Sequence, residues 1–465
     1  MSNSMRGVYT SLAQIRRTVF REVARLAYES QSGDYGWVDE LPYEIIPGDV
    51  ATYRESVFLE RAIVGERIRL AMGLPLQGVD KPAKLSDGVA EAAKPETYYQ
   101  PPLINVIKFA CNACEENSYK VSDACQGCLA HPCREICPKG AITFKDKKAY
   151  IDQEKCIKCG RCANVCPYGA IQHHARPCAV ACGMNAISSD EQGRAQIDYS
   201  KCVSCGQCLV NCPFGAIADK SQIFQVIQAI LAGEEVIAEV APAFVGQFGG
   251  KGNVDKLREA FKALGLTGMD EVALGADLCA VQEAEDFLEE VPDKIPFMGT
   301  SCCPAWSVMA KMEFPEHADC ISMALTPMTL TARLIKRHHS NAKVVFIGPC
   351  AAKKLEAMRT DIRSDVDFVL TFEEMDGIFD ARHVDVEKIE EDPEGVNDAS
   401  MDGRNFAVAG GVAKSVVDVI HERYPDKEIK VANAEGLKEC RKLLTMAKAG
   451  KYNGYLLEGM ACPGG

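Results

Sequence analysis

The stretch that decides the fold of this chain is Cys156-Ile157-Lys158-Cys159-Gly160-Arg161-Cys162-Ala163-Asn164-Val165-Cys166-Pro167. Its cysteines follow the spacing CxxCxxCxxxCP, and the same spacing returns at Cys202, Cys205, Cys208 and Cys212. Three thiolates at this spacing wrap one [4Fe–4S] cubane, and the fourth reaches a neighbouring cubane. A zinc ribbon needs two CxxC pairs and uses neither the third cysteine nor the proline, so the spacing favours iron–sulfur clusters over zinc.

A looser motif of the same kind precedes this stretch, and a β-hairpin predicted around residues 145–148 joins the two. Together they make one unit that resembles bacterial ferredoxin. The exchange of the fourth ligand predicts two cubanes in this unit. One is held by Cys125, Cys128, Cys133 and Cys166, and the other by Cys156, Cys159, Cys162 and Cys137.

Half a motif, at Cys178 and Cys182, leads through a second predicted hairpin at residues 190–193 into the last cysteine motif. We infer a second unit that takes its missing CxxC pair from upstream. Its cubanes are held by Cys111, Cys114, Cys178 and Cys212, and by Cys202, Cys205, Cys208 and Cys182. The alternative for Cys111 and Cys114 is a CxxC pair without iron, because a pair so far from its partners is not a local motif. The cysteines already close four clusters, so His131, His173 and His174 are predicted to be surface side chains.

Size and charge limit the function classes. A chain of 465 residues with 47% hydrophobic residues divides into several domains. A net charge of −13 argues against nucleic acid as a partner, and the absence of a signal peptide or a long apolar run predicts a cytoplasmic protein with no membrane span. In a reducing compartment, 23 cysteines indicate metal ligands rather than disulfides.

The segments outside the cysteine motifs have different patterns. Residues 1–74 are predicted to be a helical appendage, 75–103 a linker, 104–220 the iron–sulfur module and 221–465 an α/β domain. The chain is therefore expected to be a multidomain α+β and α/β protein. In the α/β domain we predict strands at residues 236–240, 294–298, 344–347, 368–371, 406–409, 429–432 and 454–457. Open α/β sheets bind ligands at the carboxyl ends of their strands, and three of these strands lead into cysteine loops.

Those loops, residues 300–306, 348–354 and 458–465, resemble the binding signatures of FeFe hydrogenases, and the resemblance runs from about residue 105 to the last residue. It implies a ferredoxin-like module followed by a hydrogenase domain that holds the H-cluster, a cubane joined to a two-iron subsite with CO, CN and a bridging dithiolate. It also implies reversible conversion of 2H⁺ and 2e⁻ into H₂, with electrons passing through [4Fe–4S] clusters to or from a ferredoxin or similar small carrier. Maturation factors would supply the two-iron subsite.

The resemblance also implies roles for single residues. Adjacent cysteines in an extended loop point in opposite directions, so Cys302 and Cys303 should differ in role. Matched to the family, Cys303, Cys350 and Cys462 ligate the cubane and Cys302 is the proton relay. The bridging cysteine would fall just beyond Gly465, so we expect a C-terminally truncated sequence. Lys353, Pro242 and Ala243 match the segments that face the cyanide ligands, whereas Lys354 is predicted to be a solvated charge.

A proton path to Cys302 is expected from titratable or hydroxyl side chains. Glu283 and Asp286 match the family's two carboxylate positions and lie on one helix face, and Thr326 stands where many relatives have serine. The alternative is an ordinary exposed acidic helix. Ala305, Gly348 and Thr326 depart from the common pattern and resemble a less-studied subgroup. Three cysteines without a motif, Cys279, Cys320 and Cys440, are predicted to be buried apolar residues.

Three other functions are compatible with parts of this sequence pattern. A sensory or regulatory hydrogen-binding protein would have the same cluster and slow turnover. A non-catalytic iron–sulfur assembly factor would need neither Cys302 nor Lys353, yet both are present. A purely electron-transferring ferredoxin leaves residues 221–465 without a role.

Overall fold

The computed structural model describes residues 9–30, 35–78, 80, 82–97, 100–248, 253–390 and 399–465. Within these ranges no helix is both long enough and apolar enough to cross a membrane. All 23 cysteines lie in these ranges and have free thiols. The α-helices are α1 (Ser11–Glu29), α2 (Leu41–Ile45), α3 (Val57–Ala71), α4 (Val89–Ala92), α5 (Pro132–Glu135), α6 (Arg161–Asn164), α7 (Pro177–Ala181), α8 (Gln207–Val210), α9 (Ile223–Leu231), α10 (Val254–Leu264), α11 (Val272–Glu290), α12 (Pro304–Glu313), α13 (Pro327–His338), α14 (Ala351–Ala357), α15 (Phe372–Ala381), α16 (Met401–Asn405), α17 (Gly411–Arg423) and α18 (Leu437–Lys448).

Within the described residues the strands form six small sheets. They are β1 (Ile104–Val106), β2 (Ser118–Val121), β3 (Ile142–Lys145), β4 (Lys148–Ile151), β5 (Ile171–His174), β6 (Ile187–Ser189), β7 (Ala195–Ile197), β8 (Ile217–Asp219), β9 (Val236–Val240), β10 (Gly268–Glu271), β11 (Met298–Gly299), β12 (Lys343–Gly348), β13 (Phe368–Thr371), β14 (Lys430–Glu435) and β15 (Tyr455–Met460).

The helices that precede the cysteine motifs pack onto the rest of the molecule. α1 begins after Thr10, whose hydroxyl accepts the N–H of Ala13 at 3.2 Å, which satisfies a backbone donor left free at the helix start. Its apolar face buries Val23 and Leu26 against α9 and α15. The predicted linker also takes part in this core, because Val89 of α4 is fully buried.

The cysteine-rich segment is built from antiparallel strand pairs. Both predicted hairpins are confirmed: β3 pairs with β4, and β6 pairs with β7. Asp146 and Lys147, which connect β3 to β4, have φ values of 50° and 61°, as a tight two-residue hairpin turn requires. The pairs β1–β8 and β2–β5 join parts of the segment that are about 50 to 115 residues apart in sequence.

The C-terminal segment contains two parallel sheets. One has the order β10-β9-β12-β13 and the other β11-β15-β14. Five of the seven predicted strands match β9, β12, β13, β14 and β15 within a few residues. The strand predicted at 294–298 is only Met298–Gly299, because Pro296 lacks the N–H that a ladder needs. The strand predicted at 406–409 is wrong: this segment is a turn between α16 and α17, where Gly410 takes a φ of 83°.

Lys354 is not a solvated charge, and that prediction is wrong. Its side chain is fully buried. The Nζ donates to Asp219 Oδ2, to the carbonyl of Lys220 and to Glu374 Oε1, each at 2.7 Å. Because Asp219 ends the cysteine-rich segment and Glu374 lies on α15, the ammonium joins that segment to the α/β domain.

Candidate metal centres

Four cavities in the cysteine-rich segment are each lined by four cysteines. The four sets are Cys111, Cys114, Cys178 and Cys212; Cys137, Cys156, Cys159 and Cys162; Cys125, Cys128, Cys133 and Cys166; and Cys182, Cys202, Cys205 and Cys208. These are the groupings predicted from the spacing, including the distant pair Cys111 and Cys114.

The thiols of these sets accept backbone hydrogen bonds in a repeated pattern. Cys137, Cys166 and Cys182 each accept the N–H four residues later, at 3.4, 3.4 and 3.3 Å. Across the two hairpins, Ala149 donates to Cys125 Sγ at 3.5 Å and Ala195 donates to Cys111 Sγ at 3.3 Å. The second unit therefore repeats the first, and N–H donors aimed at sulfur suit cluster thiolates.

The loop after each cluster motif turns through a residue with positive φ. Gly140, Gly169 and Gly215 have φ values of 56°, 58° and 58°, a conformation that glycine adopts without steric cost. In the remaining copy Asn185 occupies the same place with a φ of 50°, and asparagine is among the side chains that tolerate this region. All four copies thus share one backbone path despite the change of residue.

The donor set fits iron–sulfur clusters rather than a single ion. In the part of the chain that the structure describes, no three His, Cys, Asp or Glu side chains are grouped closely enough to hold one metal ion. Burial raises the pKa of the Cys178 and Cys205 thiols to about 12, so these side chains are neutral thiols without metal. Bound iron would hold them as thiolates, as metal ligation does.

In the α/β domain, three cysteine loops converge. The Cys303 thiol accepts the N–H of Ala461, and the Cys462 thiol is among the groups that act on it. Cys303 in turn has the largest electrostatic effect of any titratable group on the Cys350 thiol. Cys303 precedes α12, Cys350 precedes α14, and Cys462 follows β15, so the thiols meet at the carboxyl ends of parallel strands.

This group adjoins the last of the four cavities. Gln207 on α8 donates from Nε2 to Cys462 Sγ at 3.5 Å, and Cys462 acts electrostatically on Cys205. Gln207 lies between Cys205 and Cys208, which line that cavity. A cluster in that cavity would therefore be the one nearest the three converging cysteines.

Glu283 is buried beside Cys302. Its Oε1 accepts the backbone N–H of Ser301 at 2.9 Å and the Ser301 hydroxyl at 3.1 Å. Burial raises the pKa of Glu283 to about 7, although Ser301 and Ser322 favour the ionised form. Burial, followed by the charge of Glu283, raises the pKa of the Cys302 thiol well above its usual range. A carboxyl that titrates near neutral pH next to a buried thiol suits proton transfer.

The structure places the other predicted site residues in two groups. Asp286 is half-buried on the outer part of α11 and accepts from Gln282 Nε2 at 2.8 Å. Thr326 instead caps α13 and donates to Glu356 Oε1 at 2.5 Å. Lys353 is buried and donates to Glu356 Oε2 at 2.7 Å.

Pro242 and Ala243 lie in the short 3-10 helix (Pro242–Phe244) that follows β9, and both are half-buried. Cys279, Cys320 and Cys440 are confirmed as buried. Ser322, which contacts Glu283, was missed in the sequence. A hydroxyl four residues before Thr326 is the only signal that could have found it.

Comparison with known proteins agrees with this arrangement. A family model described as "Iron only hydrogenase large subunit, C-terminal domain" matches residues 234–465, and a 4Fe-4S binding domain model matches residues 149–172 and 195–218. The chain is 28% identical over 389 residues to iron hydrogenase 1 of Clostridium pasteurianum, covering 77% of this chain and 67% of that protein.

Two further relatives have similar identities. The NADP-reducing hydrogenase subunit HndD of Solidesulfovibrio fructosivorans is 27% identical over 382 residues, with 69% of this chain and 64% of that protein covered. The periplasmic [Fe] hydrogenase large subunit of Nitratidesulfovibrio vulgaris is 28% identical over 374 residues, with 68% and 84% covered. The chain thus spans about two thirds of the length of the first two relatives.

The hydrogenase match coincides with the domain in which the three cysteine loops converge, and the 4Fe-4S matches coincide with two of the repeated cysteine motifs. The chain therefore belongs to the iron-only hydrogenases, with a ferredoxin-like 4Fe-4S module in front of the H-cluster domain.

Proposed function

We propose that the protein is an FeFe hydrogenase that interconverts 2H⁺ and 2e⁻ with H₂. The observation that supports this most directly is the meeting of Cys303, Cys350 and Cys462 beside Cys302, with Glu283 poised near neutral pH behind it. An iron–sulfur protein that only transfers electrons has no need of a buried thiol next to such a carboxyl. Hydrogen chemistry requires both electrons and protons at one place.

The cysteines have two roles in this proposal. The sixteen cysteines of the four cavities would hold four [4Fe–4S] clusters, and Cys303, Cys350 and Cys462 would hold the cubane of an H-cluster. When bound, the H-cluster supplies the redox chemistry of H₂, and the protein supplies ligation, orientation and a proton path. Maturation factors would deliver its two-iron subsite.

Side chains that the structure brings together would carry the protons. Asp286 lies at the outer end of the row, and Glu283 lies inside it next to Ser301 and Ser322. Glu283 would take a proton at its carboxylate and pass it to Cys302 Sγ, which holds it as a neutral thiol. A relay works best when its pKa lies near the working pH, as that of Glu283 does.

Lys353 and the Pro242–Ala243 segment would orient the two-iron subsite. The buried Lys353 ammonium is fixed by Glu356 and keeps donors available for a polar ligand. Thr326 supports this pair from α13 by its bond to Glu356, so its proposed place in the proton path shifts to a role in positioning Lys353.

Electrons would enter at the cavity lined by Cys137, Cys156, Cys159 and Cys162. Cys159 is exposed, and Lys139, Lys158 and Arg161 around it are exposed and form no ion pair among the described residues. The rest of the chain is acidic, with a net charge of −13. An acidic ferredoxin or similar small carrier is the partner whose charge fits this surface. A reducing compartment such as the cytoplasm suits its free cysteines.

The test is Cys302→Ala in the mature protein, with Cys320→Ala as the control for loss of a buried thiol elsewhere. We expect the iron content and the infrared bands of CO and CN to be unchanged in both variants. H₂ turnover should fall by about 10²- to 10⁴-fold in Cys302→Ala alone, because a positioned proton donor is lost. Full turnover in that variant would contradict the relay, and infrared bands with very slow wild-type turnover would favour a sensory protein.

A further inference from the structure

Glu239 is a buried carboxyl that the proposed site does not use. It lies in the middle of β9, inside the four-stranded parallel sheet, and is fully buried. Neither of its side-chain oxygens has a hydrogen-bond partner among the described residues. Burial raises the pKa of Glu239 well above its usual range. Burial without a hydrogen-bond donor disfavours the ionised form, so the Glu239 carboxyl favours the form that carries a proton inside the sheet.

The side chain of Glu239 faces α13. Val345 and Ile347 of β12 line a cavity together with residues of α9 and α15, and their partners in the strand register are Ala238 and Val240. Side chains alternate along a strand, so Glu239 points to the opposite face of the sheet. α13 packs against β9 on that face.

One neighbour of Glu239 reaches solvent. Asp270 of β10 is its register partner, and β10 is the edge strand of the sheet. Neighbouring strands lie about 4.8 Å apart, and paired residues point to the same face. Asp270 is exposed, so one strand spacing separates the buried acid from the surface.

Two of the charged groups that act on Glu239 belong to the candidate catalytic site. The groups that act on Glu239 are Lys353 and Glu356 of α14, Asp270 of β10 and Lys336 of α13. Lys336 is held away by Asp367, to which its Nζ donates at 2.7 Å. Lys353 and Glu356 form the buried pair next to Cys350 and Cys302.

We propose that Glu239 is a proton relay between Asp270 at the sheet edge and the Lys353–Glu356 pair, and that it gives the site a second proton route besides Glu283 and Cys302. This inference rests on the proposed function. Glu356 is hydrogen-bonded to Thr326 at the start of α13, the helix that packs on β9. Through one bridging water, Glu239 gives its proton to the Glu356 carboxylate and becomes an anion. Asp270, protonated from solvent, then gives its proton to Glu239. One proton has moved inward, Asp270 is again a carboxylate and Glu239 is again neutral.

Packing alone does not explain this residue. A buried carboxyl without hydrogen-bond partners destabilises the folded state relative to a satisfied group. Its neighbours along the strand, Ile237 and Ala241, occupy the same face as apolar side chains. A proton-exchanging role gives a reason for a carboxyl at a place where an apolar residue would be more stable.

The first test needs no turnover. Infrared spectra of the mature protein should contain a carboxylic acid band that Glu239→Gln removes and Glu239→Asp retains at a shifted position. After transfer to D₂O, this band should shift more slowly in Asp270→Asn than in the wild type or in Glu259→Gln, a control on the nearby helix α10. Equal exchange in Asp270→Asn, or no band lost in Glu239→Gln, would overturn the proposal.

The second test measures H₂ turnover against pH in single and double variants of an active wild-type protein. If the two routes act in parallel, Glu239→Gln alone costs about twofold, whereas Glu239→Gln added to Glu283→Gln lowers the residual turnover at least tenfold. An unchanged residual turnover in the double variant would refute the second route. An inactive wild type would instead count against the proposed function itself.

Discussion

Glu283 makes the stability of the protein depend on pH. Its pKa rises from 4.5 to about 7 on folding because it is buried. Between these values the folded chain holds a proton that the unfolded chain has released, so the unfolded state binds fewer protons. The free energy of unfolding therefore falls as the pH rises from about 4.5 to 7, by about 3 kcal/mol for this group, and is constant above it.

Glu283→Gln should remove this dependence. Denaturant titrations of the variant and the wild type at pH 5 and pH 8 should show the variant gaining stability relative to the wild type at the higher pH. Glu289→Gln, at an exposed position on the same helix, is the control and should follow the wild type. A difference between variant and wild type that is equal at both pH values would show that Glu283 keeps its ordinary pKa.

Cys111 and Cys114 lie far in sequence from Cys178 and Cys212, the other two cysteines of their set. Their cavity is closed by Cys178 and Cys212, so Cys114→Ala should lose about four iron atoms and one set of cluster signals. Iron analysis and electron paramagnetic resonance of the reduced protein measure this loss. Cys440→Ala, a buried cysteine outside all four cavities, should keep the full iron content. Equal iron in both variants would show that the cavity holds no cluster.

Helix α3 places a buried charge against one of the clusters. Arg67 is 5% exposed and donates to the carbonyl of Gly215, in the loop after Cys212. Burial lowers the pKa of Arg67 to about 10, so it is still a cation at neutral pH. A nearby cation stabilises the reduced, more negative cluster.

Arg67→Met should therefore make the reduction potential of that cluster more negative. A unit charge about 10 Å away, at an effective dielectric constant of about 20, corresponds to about 70 mV. A redox titration followed by electron paramagnetic resonance measures the shift. Arg61→Met, on the same helix but facing Tyr43 at the surface, should leave the potential unchanged, and equal potentials in both variants would exclude the effect.

The distribution of charge over the whole molecule leads to a prediction about its electron partner. Lys139→Glu should raise the KM for an acidic ferredoxin severalfold, and the effect should fade at high salt because exposed charges are screened. Lys427→Glu, an equal charge change at an exposed residue that lines none of the four cavities, should have little effect. Turnover with a small uncharged dye should be the same in both variants. A KM unaffected by Lys139→Glu would place the docking surface elsewhere.

The sequence predicted those features that depend on local spacing. Four sets of cysteines, two hairpins and five parallel strands follow from motif spacing and period, and the structure brings the same cysteines together. It did not reveal Glu239, Lys354 or Ser322, because their importance comes from burial by elements distant in sequence. Likewise, the apolar residues at 294–298 predicted one strand, but Pro296 limits it to Met298–Gly299.

Lys354 follows Cys350 by four residues and is tied to Asp219, seven residues after Cys212. The Lys354 ammonium thus fixes the end of the iron–sulfur module next to the loop that would bind the active-site cubane. Electron tunnelling weakens steeply with separation, so a molecule that swung about this joint would conduct only intermittently. The three hydrogen bonds of Lys354 therefore favour a constant separation for the last electron transfer, whichever partner is bound.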